Sequence, residues 1–305
     1  MGQEWLLSAP ALGLLGLIVG SFLNVVIHRL PVMMARQWWA EVAVQLQDEA
    51  SHQEVFGRPP PGEATKAGRS LETALQALPR LNLAVPRSRC PACGHVLGWS
   101  ENVPLLGWLR LRGRCAACGT RIPMRYPAVE ALTALLFAAI GWRFGPQPAA
   151  LMWCGVAAVL LTLSAIDWDT TLLPDDLTQP LLWAGLVAAA AGWSGLSPAT
   201  ALIGAVTGYL SLWSVYWLFK LATGKEGMGY GDFKLLAALG AWLGWQAVLP
   251  IVLIASVAGA LVGLGLKVSG QLRDGRYVPF GPFLAGGGLL LLLAGTDRAL
   301  ALMGW

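Results

Sequence analysis

The chain has 305 residues, 56% of them hydrophobic and only 12% charged, with a net charge of +4 and a mean hydropathy of +0.59. Soluble domains carry about 25% charged residues. The composition therefore excludes an ordinary soluble enzyme and points to an all-α, polytopic membrane protein, with the lipid bilayer as its partner and no nucleic acid expected.

Apolar runs separated by Gly, Pro and charge clusters predict about eight transmembrane helices: 8–28, 128–145, 149–166, 177–194, 199–221, 234–248, 250–268 and 281–296. A span needs about 20 apolar residues, within about 17–25. Several of these runs are near or below that, with 234–248 the weakest. The first run lacks a basic segment before it, since MGQEW holds a glutamate and no Lys or Arg, and positive charge follows at His28–Arg29. That pattern predicts an uncleaved anchor with its N-terminus outside rather than a signal peptide.

Residues 29–125 form the only sizeable polar segment and hold 13 of the 21 Lys and Arg residues but 7 of the 17 acids. The positive-inside rule assigns this segment to the cytoplasm. Alternating the spans then brings the loops 167–176, 222–233 and 269–280 to the same side, with Lys220, Lys225, Lys234, Lys267, Arg273 and Arg276 in them or at their flanks. Only Arg143 and Arg298 fall outside, so 19 of 21 basic residues share one side, and both termini lie on the other. The organisation expected is a first transmembrane helix (1–28), a cytoplasmic loop (29–125) and a seven-helix membrane region (126–305).

Within the loop, WWAEVAVQLQDEA (38–50) predicts a short amphipathic, interfacial helix, and RPPPGEATKAG predicts a flexible piece. Its second half carries CPACG (90–94) and CAACG (115–119). Two C-x2-C pairs at this separation suit tetrahedral zinc bound by Cys90, Cys93, Cys115 and Cys118. The glycine after each pair permits the tight turn that aims N–H groups at sulfur. Disulfides are disfavoured in a cytoplasmic loop, and redox-active dithiols are the alternative. Four thiolates leave no position for water, so the ion is structural, and its binding could supply about 10–16 kcal/mol of folding free energy. Cys154 lies inside an apolar run and reads as helix packing.

Two aspartates stand out. Asp167, in SAIDWDTTLLPDD, directly continues an apolar run, where a carboxylate is costly and marks function. It is preferred over Asp169, which reads as solvated at the interface, while Asp175 and Asp176 precede the next run as helix caps. Asp232 follows Gly227, Gly229 and Gly231 in KEGMGYGDFK, so that a helix starts at the aspartate while an extended substrate lies against the loop. A plain loop with an N-capping aspartate is the alternative. Two carboxyl groups sharing one proton can cleave a peptide bond, and the titration belongs to the pair.

These motifs together resemble the bacterial type IV prepilin peptidase family: VGSFLNVVIHRLP (19–31), the two CxxCG pairs, RYPAVEALTALLF (125–137), IDWDTTLLPD (166–175), GKEGMGYGDFKLL (224–236) and PFGPFLA (279–285), in order from about residue 10 to 290. The resemblance implies a multi-pass enzyme of the bacterial inner membrane with its active site facing the cytoplasm. Such enzymes cleave the basic leader of prepilins and type II secretion pseudopilins. They then methylate the new N-terminal residue, usually phenylalanine, with S-adenosylmethionine. It also implies catalysis by Asp167 and Asp232, loop and substrate positioning by Gly229, Tyr230 and Gly231, and a zinc site that some members lack. A surface made by Asp169, Asp175 and Asp176 is expected to meet the basic leader.

The methyltransferase half is less visible. No Gly-rich strand–loop–helix fingerprint is present. Ser21, Asn24, His28, Arg29, Gly113 and Glu130 are the cofactor-binding candidates. Each has a structural alternative: Ser21 and Asn24 bonding between helices, Arg29 anchoring to phosphates, Glu130 pairing with Arg125. Other functions stay open as well: a peptidase alone with a structural zinc loop, a transporter, or a scaffold without chemistry.

Overall fold

The computed structural model describes residues 4–270 and 278–302, with 4, 297, 299 and 302 described by backbone alone. Arg273 and Arg276, expected among the cytoplasmic cations, lie outside the described residues. The described chain is all helical, and its only β-type pairings are two isolated bridges, Arg89–Val96 and Arg114–Arg121.

Helix α1 runs from Ala9 to Gln45 without a break at Pro31. At about 1.5 Å per residue its 37 residues extend about 55 Å, far beyond a hydrocarbon core of about 30 Å. The expected separate helix at 38–50 is therefore replaced by the end of α1. Continuity wins because VMMARQWWAEVAVQ contains no Gly or Pro to break it. Two further helices follow, α2 (Glu49–Phe56) and α3 (Gly62–Gln76). The expected flexible piece is thus a short turn ending at Pro61 and then a helix. Helix α3 packs on the last turns of α1, where a Cβ added to Gly68 would stand 2.9 Å from the Ala43 carbonyl oxygen. An irregular segment with one short helix, α4 (Leu106–Arg110), leads to the bundle.

The bundle comprises α5 (Arg125–Phe144), α6 (Pro148–Thr170), α7 (Asp175–Ala190), α8 (Pro198–Thr223), α9 (Tyr230–Leu243), α10 (Val248–Val268) and α11 (Gly281–Ala294), with a terminal α12 (Thr296–Leu302). Eight apolar helices thus stand where eight runs were read. Five helical segments, 9–45, 125–144, 148–170, 198–223 and 245–268, are long and apolar enough to cross a membrane. Helices α7, α9 and α11 are shorter. Helix α9 has 14 residues, about 21 Å. It is apolar all round because it lies at the centre: every residue from Phe233 to Trp242 except Lys234 is buried.

Small residues set the close crossings, as expected where lipid gives helices no hydrophobic drive to associate. Gly16 and Gly20 of α1 face the α5 backbone, where an added Cβ would lie 2.7 Å from Ala134 Cα and 2.8 Å from Glu130 Cα. Gly204 and Gly208 of α8 do the same against Gly240 and Leu236 of α9. Trp242 Nε1 donates to the Leu181 carbonyl over 2.8 Å and ties α9 to α7. Cys154 is buried in the core, as its apolar setting predicted.

Candidate active site and metal centre

The chain alternates direction through the bundle, so the last turn of α6, the first turn of α9 and the first turn of α11 share one end. Asp167 comes from the first of these and Asp232 from the second, 5% and 7% exposed respectively. The Asp167 carboxylate accepts a hydrogen bond from the Gly281 N–H at the start of α11 (3.1 Å). A Cβ on Gly281 would stand 2.6 Å from that carboxylate oxygen, Oδ2, and 3.1 Å from the Leu173 side chain. Leu173 in turn packs on Gly231, where an added Cβ would lie 2.8 Å from Leu173 Cβ. One buried leucine therefore bridges the elements that carry the two acids.

The Asp232 N–H donates to the Gly229 carbonyl (3.3 Å), and its carboxyl has no hydrogen-bond partner among the described residues. Helix α9 begins at Tyr230, two residues before the expected start at Asp232, with Gly229 as its extended N-cap residue. Asp232 therefore sits in the first turn, where the helix dipole favours an acid, and it does not cap the helix.

The neighbouring acids are engaged otherwise than expected. Asp169 is ion-paired to Arg125 Nη1 (2.5 Å), whose Nη2 donates to the Ala165 carbonyl over 3.1 Å. Asp175 accepts from Lys234 Nζ (2.7 Å). Asp175 and Asp176 form the first turn of α7, and the cap position belongs to Pro174. Two of the three acids expected to meet a basic leader thus already hold a cation, because α5 and α9 bring Arg125 and Lys234 to the same end. Lys220 Nζ, in the last turn of α8, pairs with Glu226 of the following loop over 2.8 Å, and this bond holds the Glu226 carboxyl below its ordinary range.

The four cysteines of the polar segment converge. Cys90 and Cys118 are 3.8 Å apart, Cys93 and Cys115 3.9 Å, and all four sulfurs lie within 4.8 Å of one another. Metal–sulfur bonds of about 2.3 Å in a tetrahedron put sulfurs about 3.8 Å apart, so the thiols fit such an ion. The two knuckles are built alike: Cys90 N–H bonds the His95 carbonyl as Cys115 N–H bonds that of Thr120, and Gly94 and Gly119 turn back on Cys90 and Cys115. Both glycines have positive φ, 74° and 72°. Within the cluster the thiols are pushed in opposite directions: Thr120, first through its hydroxyl and then through its backbone N–H, pulls Cys118 down to about 6, while the Cys118 sulfur and burial push Cys93 up to about 12.

The six cofactor candidates are not gathered at one point. Asn24 Nδ2 donates to the Tyr126 carbonyl (3.1 Å) and bonds between helices. His28 Nε2 lies 2.6 Å from the Tyr126 hydroxyl. Arg29 makes no ion pair among the described residues; its guanidinium donates to the carbonyls of Asn82 (2.8 Å) and Pro86 (2.5 Å). Glu130 does not pair with Arg125, which α6 has taken. It accepts from the Leu105 N–H at 2.8 Å and anchors the start of α4. Gly113 (φ 67°) lies under the Trp108 ring. Ser21 is half-buried with no hydrogen bond among the described residues.

Some site residues carried no signal of their own in the sequence. Gly281 touches Asp167 from a distant chain position to which only the PFGPFLA motif pointed, and Leu173 lies within IDWDTTLLPD but had no role assigned to it. Glu101 is another: it accepts from the Gly98 N–H (2.7 Å) and meets His95 Nε2 at 3.0 Å. These two contacts, the Gly98 bond foremost, hold its carboxyl below the usual range and fix the 98–102 turn.

Comparison with known proteins adds three findings. The family described as "Bacterial Peptidase A24 N-terminal domain" matches residues 14–144, and the "Type IV leader peptidase family" matches 154–264. A Burkholderia pseudomallei protein called prepilin leader peptidase/N-methyltransferase is 51% identical over 290 residues, 95% of this chain and 86% of its own length. Proteins of the same name from Aeromonas hydrophila and Pseudomonas aeruginosa are 47% and 48% identical, covering 97% and 93% of this chain and 93% and 89% of their own. No solved structure matches.

Proposed function

The chain belongs to the type IV leader peptidase family, and from that membership we propose that it removes the leader of type IV prepilins and type II secretion pseudopilins at the cytoplasmic face of the bacterial inner membrane. It then methylates the freed N-terminal amine, usually of phenylalanine, with S-adenosylmethionine. The observation that supports this reading is the burial of two carboxyls, Asp167 and Asp232, at the same end of the bundle in a chain about half identical to enzymes so named.

Two neighbouring carboxyl groups resist joint ionisation, so one holds a proton while the other is charged. The charged one takes a proton from water, and the hydroxide so formed attacks the scissile carbonyl. The protonated one hydrogen-bonds the developing oxyanion and then gives its proton to the leaving amine. The Gly281 N–H fixes one oxygen of Asp167. Leu173, against both Gly231 and Gly281, keeps bulk solvent from the pair. A substrate whose apolar helix stays in the bilayer presents its leader junction at this depth.

S-adenosylmethionine supplies the methyl group. The amine that accepts it has an ordinary pKa of about 8, so the chain's task is to position two reactants. Zinc held by Cys90, Cys93, Cys115 and Cys118 would supply folding free energy to the polar segment, with no open ligand position for catalysis.

The test uses purified protein, a prepilin substrate and S-adenosylmethionine, with the products weighed by mass spectrometry. Leader loss followed by the gain of one methyl group is expected. Cleavage without a methyl gain would leave a peptidase alone, and no cleavage would remove the reading.

A further inference from the structure

A cleft of about 370 Å³ opens between α1 and the polar segment that follows it, within the range of about 300–1,000 Å³ typical of small-molecule sites. One wall is the face of α1 that carries Val25 and, one turn on, Arg29. The opposite wall is the turn 97–102, and the floor is the strand of chain 83–88. Neither the aspartate pair nor the four cysteines line it.

The walls are fixed from behind. Arg29 spends its guanidinium on the carbonyls of Asn82 and Pro86, and so holds the floor against α1. Glu101 clamps the far wall through Gly98 and His95, and the knuckle bond from Cys90 N–H to the His95 carbonyl ties that clamp to the cysteine cluster. What remains free to meet a ligand is chemically mixed. Val25, Leu83 and Leu97 offer apolar surface. The Trp99 indole is 84% exposed beside them. Arg87 is exposed and has neither a hydrogen bond nor an ion pair among the described residues, and Asn102 brings a side-chain amide.

We propose that this cleft binds the methyl donor; the proposal rests on the methyltransferase reading above. S-adenosylmethionine combines a purine ring, a sulfonium cation and an amino-acid carboxylate. An open indole stacks a purine and favours a cation on its face. Arg87 matches the carboxylate, and Asn102 can hydrogen-bond the ribose or the purine edge. Position supports the same assignment. Val25 and Arg29 face the cleft, whereas Asn24 and His28, on the neighbouring face of α1, bond Tyr126 at the start of α5. The adjacent Arg125 grips Asp169 and the Ala165 carbonyl on α6, two residues either side of Asp167. A cleaved amine released at the aspartates therefore emerges at the same end of the molecule as the cleft. The knuckle bond from Cys90 N–H to the His95 carbonyl also couples the cysteine cluster to the cleft's outer wall, so loss of the cluster's order should reach the cleft.

The experiment measures uptake of radiolabelled S-adenosylmethionine by the purified full-length protein in detergent, by equilibrium dialysis, with prepilin cleavage assayed in parallel. Trp99→Ala is expected to weaken binding by about tenfold or more, the scale of one base–aromatic stack, and Arg87→Gln and Asn102→Ala by several-fold each. Cleavage should persist in all three. Trp142→Ala, at an equally exposed indole (87%) far along α5, should bind as wild type. If wild type binds and methylates while Trp99→Ala, Arg87→Gln and Asn102→Ala bind equally well, the donor sits elsewhere and the proposal is overturned alone. If wild type binds no donor, the methyltransferase reading falls with it.

Discussion

The two sites of this molecule are assembled in opposite ways. The cysteine centre is made by two short turns, each closed by its own backbone hydrogen bonds and a glycine of positive φ, in a segment with few buried side chains. The aspartate site is made by three helices that meet through packing and one hydrogen bond, from the Gly281 N–H to Asp167, with Leu173 and the glycines at 231 and 281 setting the approach. A local site tolerates neighbours that move, and a packed site does not. The proposed activities should therefore separate under mutation: damage to the knuckles should spare cleavage, and small volume changes near the aspartates should not.

The largest effect expected is on the dyad itself. Asp167→Asn or Asp232→Asn should reduce cleavage by about 10²–10⁴-fold, the scale of one acid–base group. Donor binding should be retained, as dialysis would check. Next comes Gly281→Ala. Its Cβ would meet Asp167 Oδ2 at 2.6 Å, and a displacement of that order should lower cleavage about 100-fold without changing zinc content. Cleavage unaffected by this alanine would show that the packed site is softer than its contacts imply.

Metal removal acts on the other region. Cys118→Ser, or treatment with a strong chelator, should abolish bound zinc, measured by elemental analysis, and make residues 29–124 sensitive to limited proteolysis. Methyl transfer should be lost with it while cleavage changes little. Equal loss of both activities would break the separation. The smallest effect belongs to Arg125→Gln. It removes a half-exposed ion pair to Asp169, worth about 0.2–1 kcal/mol, so cleavage should fall by less than about fivefold.

The same contrast explains what could be read from the sequence. The knuckles were legible because their ligands, spacing and turn glycines lie within five residues of each other. Asp167 and Asp232 were legible as carboxyls interrupting apolar runs, and the helix positions followed from hydropathy. Contacts between distant segments were not. Nothing in the sequence says that Arg125 takes Asp169 and leaves Glu130 to the Leu105 N–H, or that Lys234 neutralises Asp175. Each depends on how α5, α6, α7 and α9 end together. The long α1 was missed because a polar stretch was read as a new element, although a helix can leave the apolar layer and continue. The burial of α9 was missed because a run hydrophobic on every side looks the same at the centre of a bundle as in lipid.

The most direct test compares leader cleavage by purified wild type, Asp167→Asn, Asp232→Asn and Asp169→Asn at matched folding, judged by helix content and thermal midpoint. Loss of cleavage in the first two variants, with Asp169→Asn within a few-fold of wild type, is the predicted result. Cleavage surviving in either Asp167→Asn or Asp232→Asn, or vanishing only in Asp169→Asn, would contradict the dyad.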